Sequence, residues 1–169
     1  MNENVRIHSY HHGDLRNALL NAARSILEEE GLGALSLRAA ARKAGVSHAA
    51  PYRHFPNHEA LLVELALEGF AELQEEIVAS ATGPGLVSDR VCDIGAAYMR
   101  FVARRPALAR LMFGAQLPNR DSFPQLAAAA DGIGNEIGGA LGERSVWISR
   151  LGGRPKKRLY SRLNWLALS

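Results

Sequence analysis

The sequence predicts an all-α fold. Apolar residues recur three and four apart through most of its length, and no stretch alternates apolar and polar residues as a half-buried strand would. Glycine and proline clusters punctuate the chain at helix-length intervals, without the fixed period of a repeat architecture.

The first predicted helix opens near Asp14, an acidic residue suited to a helix N-terminus, carries Leu15, Leu19, Ala22, Ala23 and Ile26 on one face, and stops at Gly31. Ser36 is placed to cap a second helix bearing Leu37, Ala40, Ala41 and Ala44, which Gly45 ends. Ser47 offers another cap, for a short third helix running through His48 to about His54. Phe55, Pro56 and Asn57 interrupt the pattern, after which a long fourth helix turns Leu62, Leu65, Ala66, Gly69, Leu73 and Ile77 inward before ending around Ser80. Ala81 to Val87 reads as a linker, and Ser88 as the cap of a helix reaching Pro106. A short apolar helix, Ala107 to Phe113, and a glycine-containing one from about Phe123 to Gly142 complete the body.

Composition narrows the functional classes. The chain has 169 residues, of which 47% are hydrophobic and 22% charged, so neither disorder nor a membrane span dominates it. No apolar run approaches the roughly 20 residues of a transmembrane helix, and Met1 to Tyr10 lacks an apolar signal core, so a cytoplasmic protein without a membrane partner is expected. The single cysteine, Cys92, is expected as a small buried thiol in a helix. Lys plus Arg exceed Asp plus Glu by only 20 to 17, yet Val146 to Ser169 holds six basic residues and no acidic one. All six histidines fall within the first 58 residues. His8, His11 and His12 lack a thiolate or carboxylate partner, and no metal or cofactor is expected. No acid–base pair, nucleophile constellation or phosphate loop can be named, so an enzyme is not expected.

The segment from Leu37 to Phe55, LRAAARKAGVSHAAPYRHF, has the spacing of a helix-turn-helix. Small Ala41 lets two helices approach, Gly45 can take the positive φ of the sharp corner, and Val46 fills the angle between them. Ser47 would point free N–H groups outward, toward a phosphate. His48, Ala49 and Ala50 are the residues free to reach base edges, with Tyr52, Arg53 and His54 beside them, and Tyr52 and His54 better suited to phosphates. Pro51 cannot donate to the carbonyl four residues back and disfavours α geometry at Ala50, which predicts an irregular first turn around His48 to Ala50.

The stretch from Tyr10 to about Phe70, through HHGDLRNALLNAARSILEEEGLGALSLRAAARKAGVS and YRHFPNHEALL, resembles the N-terminal domain of the TetR family of bacterial regulators. The resemblance implies Ser36 and Arg38 near the DNA backbone, and Ser47, His48, Ala50, Tyr52 and His54 in or beside the major groove. It implies a further phosphate contact at the start of the fourth helix. His58 stands there where many relatives have lysine, and a neutral imidazole holds a phosphate less strongly than an ammonium.

The resemblance divides the chain into an N-terminal arm and helix-turn-helix DNA-binding domain (1–57), a helical ligand-binding and dimerisation domain (58–148) and an atypical basic tail (149–169). It implies a repressor that binds double-stranded DNA at a palindromic operator as a homodimer and releases it when a small apolar ligand enters the body. Tyr98, Met99, Val102, Leu111, Met112 and Phe113 are the candidate pocket residues. The tail is interrupted by Gly152, Gly153 and Pro155, and a short basic helix, Lys156 to Leu168, is one reading of it. The alternative function is a helical interaction module with impaired dimerisation that binds DNA weakly or only as a heterodimer.

Overall fold

In a computed structural model, residues 12–81, 86–115, 117 and 123–140 are described, and among them the ordered elements are all helical. Six α-helices follow in order: α1 (His12–Glu30), α2 (Leu37–Lys43), α3 (His58–Ala81), α4 (Val87–Arg104), α5 (Pro106–Phe113) and α6 (Pro124–Ala140). Two 3₁₀ helices, Leu32–Ala34 and Ala50–Arg53, lie between the first three. The chain divides into two compact units between His58 and Glu59.

In the N-terminal unit α1 begins at His12, two residues before the position the sequence suggests, and ends where Gly31 turns to φ 84°. Leu19, Leu20, Ala23, Ile26 and Leu27 are buried, as the three- and four-residue spacing requires. Leu32–Ala34 forms a 3₁₀ turn that periodicity does not signal, because it has no apolar face of its own and none of its residues is buried. Phe55 closes this unit from the far end: it is 1% exposed, and the Arg16 guanidinium of α1 lies 5.7 Å from its ring centroid. On the outside, Lys43 of α2 donates to Glu29 of α1 at 2.6 Å. That bond and one from Ser25 hold the Glu29 carboxyl below the usual carboxylate range.

In the second unit Phe70 of α3 meets Phe113 of α5 edge-on, with centroids 5.7 Å apart and planes at 87°. Gly69 permits the approach, since a Cβ there would come within 2.5 Å of Met112 Sδ and 3.1 Å of Leu108 Cγ. Phe101 and Leu108 are fully buried, and α4 packs on both α5 and α6. Two ion pairs join α3 to the end of α4, Arg104 with Glu76 and Arg105 with Glu72.

Three expectations for this unit are corrected. α4 starts at Val87, so Ser88 is inside it; the N-terminus is closed instead by Asp89, whose Oδ2 accepts from the Leu86 N–H at 3.2 Å. It ends at Arg104 rather than Pro106, because Arg105 precedes the proline and sits at φ −131°, ψ 56°, outside the helical region. Cys92 is exposed: helical rotation carries it away from the face of Ile94, Ala97 and Phe101. α3 runs through Ala81, the first residue of the expected linker, and residues 82–85 lie outside the described residues, as does the tail 149–169.

Candidate nucleic-acid interface

The corner between α2 and the following 3₁₀ helix is built by local chemistry. Ser36 caps α2 from extended backbone, its Oγ accepting from the Ala39 N–H at 3.1 Å. At the other end Gly45 takes φ 70°, the Gly45 N–H donates to the Arg42 carbonyl at 3.2 Å, and the Val46 N–H donates to the Ala41 carbonyl at 3.0 Å. These are the paired bonds of a Schellman terminus, and they require a left-handed residue at Gly45. The glycine is needed for that conformation alone, since a Cβ there would meet nothing within 4 Å.

The element beyond the corner differs from the seven-residue helix that Ser47 is expected to cap. His48 and Ala49 form a turn, and only Ala50–Arg53 is helical, with 3₁₀ geometry. Ser47 contributes its carbonyl, accepting from the Ala50 N–H at 3.0 Å, and the 3₁₀ helix has no side-chain cap. The physical reason is Pro51. It has no N–H to give to a carbonyl behind it, while its own carbonyl accepts from His54 at 2.9 Å and Phe55 at 2.8 Å. The irregular turn at His48 to Ala50 is therefore present, and it shortens the reading element.

Exposure sorts the candidates. Ser36, Arg38, Ser47, His48, Ala49, Arg53 and His58 are exposed, and Tyr52 is 51% exposed, high for an aromatic ring. Ala50 is half-buried, and Pro51 beside it is buried. His54 departs from the expected phosphate role: its ring leans on Phe55, with centroids 6.4 Å apart, and its Nε2 is buried.

Four candidates that are distant in sequence converge. Ser36 and Arg38 at the start of α2, Tyr52 of the 3₁₀ helix and His58 at the first position of α3 line one cleft of about 350 Å³, together with Leu37, Pro56 and Asn57. The Ser36 oxygen accepts at the cap and still has its own proton to donate. Arg38 supplies a permanent positive charge and Tyr52 a phenolic donor, so the cleft is a donor-rich site suited to an anion. In the sequence Pro56 and Asn57 read only as helix breakers; their place in the cleft comes from the return of the chain toward α2, which spacing does not reveal.

The candidate ligand residues are less coherent. Tyr98 lies 5.9 Å from Phe113, centroid to centroid, and its hydroxyl is buried with no hydrogen-bond partner among the described residues. Burial pushes that hydroxyl's pKa up. Val102 is half-buried, whereas Leu111 and Met112 are buried core residues. Met99 is 57% exposed and leaves the set, because one residue of helical rotation separates it from Tyr98.

The same architecture recurs in solved proteins. A protein of unknown function from Rhodococcus sp. RHA1 superimposes with a TM-score of 0.70 at 33% identity, over 95% of this chain and 80% of that one. The TetR family transcriptional regulator PfmR from Thermus thermophilus gives 0.63 at 21% identity, over 88% and 84%. Residues 19–65, which hold most of α1, all of α2, the glycine corner and the start of α3, match the model of the bacterial regulatory proteins of the tetR family. The chain carries a TetR family N-terminal segment over these residues. It is 27% identical over 125 residues to the HTH-type transcriptional regulator Rv1816 from Mycobacterium tuberculosis, and equally to Mb1846 from Mycobacterium bovis. That match covers 73% of this chain, which spans about half the length of these curated relatives. The family is one of bacterial regulatory proteins. Among the described residues, no helix is long and apolar enough to cross a membrane.

Proposed function

We propose that this protein is a TetR family member, a cytoplasmic, ligand-responsive transcriptional repressor that binds a palindromic DNA operator as a homodimer. The observation that carries the reading is the convergence of Ser36, Arg38, Tyr52 and His58 on one cleft, with Ser47, His48 and Ala49 exposed shortly before Tyr52 in the chain. In this reading the cleft grips a backbone phosphate and fixes register, while His48 and Ala49 read base edges, His48 by hydrogen bonding and Ala49 by contact with a thymine methyl. Ala50 adds little to base contact from its half-buried position, and Arg53 steers the approach by charge.

A reading element this short touches few base pairs, and pairing two heads across a two-fold axis doubles the site and accounts for a palindrome. Residues 1–57 then bind DNA, 58–148 carry ligand response and dimerisation, and 149–169 form a basic appendage. Tyr98 is the polar anchor for a small, mainly apolar ligand beside Phe113, because its hydroxyl is buried and unpartnered among the described residues. The test is selection of duplexes from a random pool by the purified protein. Enrichment of an inverted repeat is expected; recovery of sequences no different from the starting pool would overturn the reading.

A further inference from the structure

The outer face of α4 carries charges of both signs in an order that complements its own reverse. Ile94, Ala97 and Phe101 are buried, and α4 packs on α5 and α6. At about 100° per residue Cys92, Ala96, Met99 and Ala103 fall on the opposite side, and all four are exposed, Met99 at 57%. Along one flank of this face stand four exposed charged residues, Asp89 and Asp93 toward the N-terminus and Arg100 and Arg104 toward the C-terminus. Asp89 also closes the helix start through the Leu86 N–H, and Arg104 is paired with Glu76 of α3. Asp93 and Arg100 have no side-chain hydrogen bond or ion pair among the described residues. On the other flank lie Val91, 46% exposed, and Val102, half-buried.

We infer that this face of α4 is a self-association surface, pairing antiparallel with α4 of a second copy about a two-fold axis at the level of Ala96 and Ala97. The inference rests on the homodimer proposed above and names the helix that joins its halves. A two-fold axis through an antiparallel helix pair sets each flank against the same flank of the copy, with heights reversed. Asp93 then stands level with Arg100 of the copy, Asp89 with Arg104, and Val91 with Val102, because all three pairs share one midpoint, between Ala96 and Ala97. Met99, the largest side chain on the face, comes level with the step between Cys92 and Ala96 of the copy. Gly95 adjoins that step, and even a Cβ there would meet nothing within 4 Å, which leaves room for the thioether. A parallel pairing would instead set Asp93 beside Asp93 and Arg100 beside Arg100, like against like. Because one pattern complements itself on rotation, the occupant it fits is a second copy of the chain. α4 is about 27 Å long, so the contact belongs to the small end of specific interfaces, and its charges set register and orientation more than affinity.

Charge reversal in the full chain tests the pairing at positions that are already exposed. Asp93→Arg alone sets arginine against arginine at both contacts, and Arg100→Asp alone sets aspartate against aspartate. Each is expected to weaken dimerisation by about tenfold or more in sedimentation. The double variant, and an equimolar mixture of the two single variants, bring opposite charges together again and are expected to dimerise as the unmodified chain does. That recovery has no source within one helix, because the two positions are about 10 Å apart along its axis, beyond the reach of neighbouring turns. Cross-linking reads the register separately. In a glutathione redox buffer, Ala96→Cys with Cys92→Ser is expected to form a disulfide with its copy about tenfold or more faster than native Cys92, whose counterpart lies roughly 13 Å further along the pair. A dimer indifferent to both single reversals would overturn this interface and leave the homodimer reading standing. A chain that stays monomeric at tens of micromolar would overturn both. Faster cross-linking through native Cys92 would overturn the antiparallel register.

Discussion

The two units use their residues in opposite ways. In the N-terminal unit the groups with chemistry to offer (Ser36, Arg38, His48, Tyr52, His58) are exposed, and they are positioned by backbone devices such as a serine cap, a Schellman turn and a proline-initiated 3₁₀ helix. In the second unit Phe70, Phe101, Leu108 and Met112 fill the core, and α3 and α5 approach through Gly69. A surface that meets a rigid polyanion is best built from local turns that hold donors outward. A core depends on which helices meet, a property of the whole chain. Damage to one unit should therefore appear as lost recognition, and damage to the other as lost stability.

The largest effect expected is on the body. Phe101→Ala removes a fully buried ring and should cost about 3–5 kcal/mol in chemical denaturation. The fraction still folded should keep its DNA preference, and a changed preference at unchanged stability would break the division between the units. Next is Gly45→Ala, which places a Cβ on a left-handed residue and should cost about 1–2 kcal/mol of stability. Since the corner holds the 3₁₀ helix against α2, its effect on specific DNA affinity should exceed its effect on stability, as a gel-shift titration beside a melting curve would show. The smallest is His58→Lys, at the exposed first position of α3. It should tighten binding to all duplexes and steepen the salt dependence of log K by about one, while leaving the melting temperature nearly unchanged.

The same contrast explains what can be read from the residues alone. The corner is legible because Ser36, Ala41 and Gly45 act within six residues of their partners, and the helices are legible because one buried face leaves a periodic trace. Pro51 announces the irregular turn, yet spacing overstates the helix after it: a proline's missing N–H can be read, whereas the 3₁₀ geometry of Ala50–Arg53 leaves no periodic trace in so short a segment. Cys92 and Met99 escape the pattern for a different reason. α4 is apolar on more than one side, so apolar character alone does not say which stripe is inside. The cleft itself, uniting residues 36–38 with 52 and 56–58, is a tertiary event that local pattern cannot show.

The direct measurement is the salt dependence of binding to a selected duplex, with Arg38→Ala compared to the unmodified chain. If the cleft of Ser36, Arg38, Tyr52 and His58 grips a phosphate, the slope of log K against log salt should flatten by about one, while the ranking of duplex sequences stays the same. An unchanged slope with unchanged affinity would contradict the account, because a permanent cation in the site would then be making no contact with DNA.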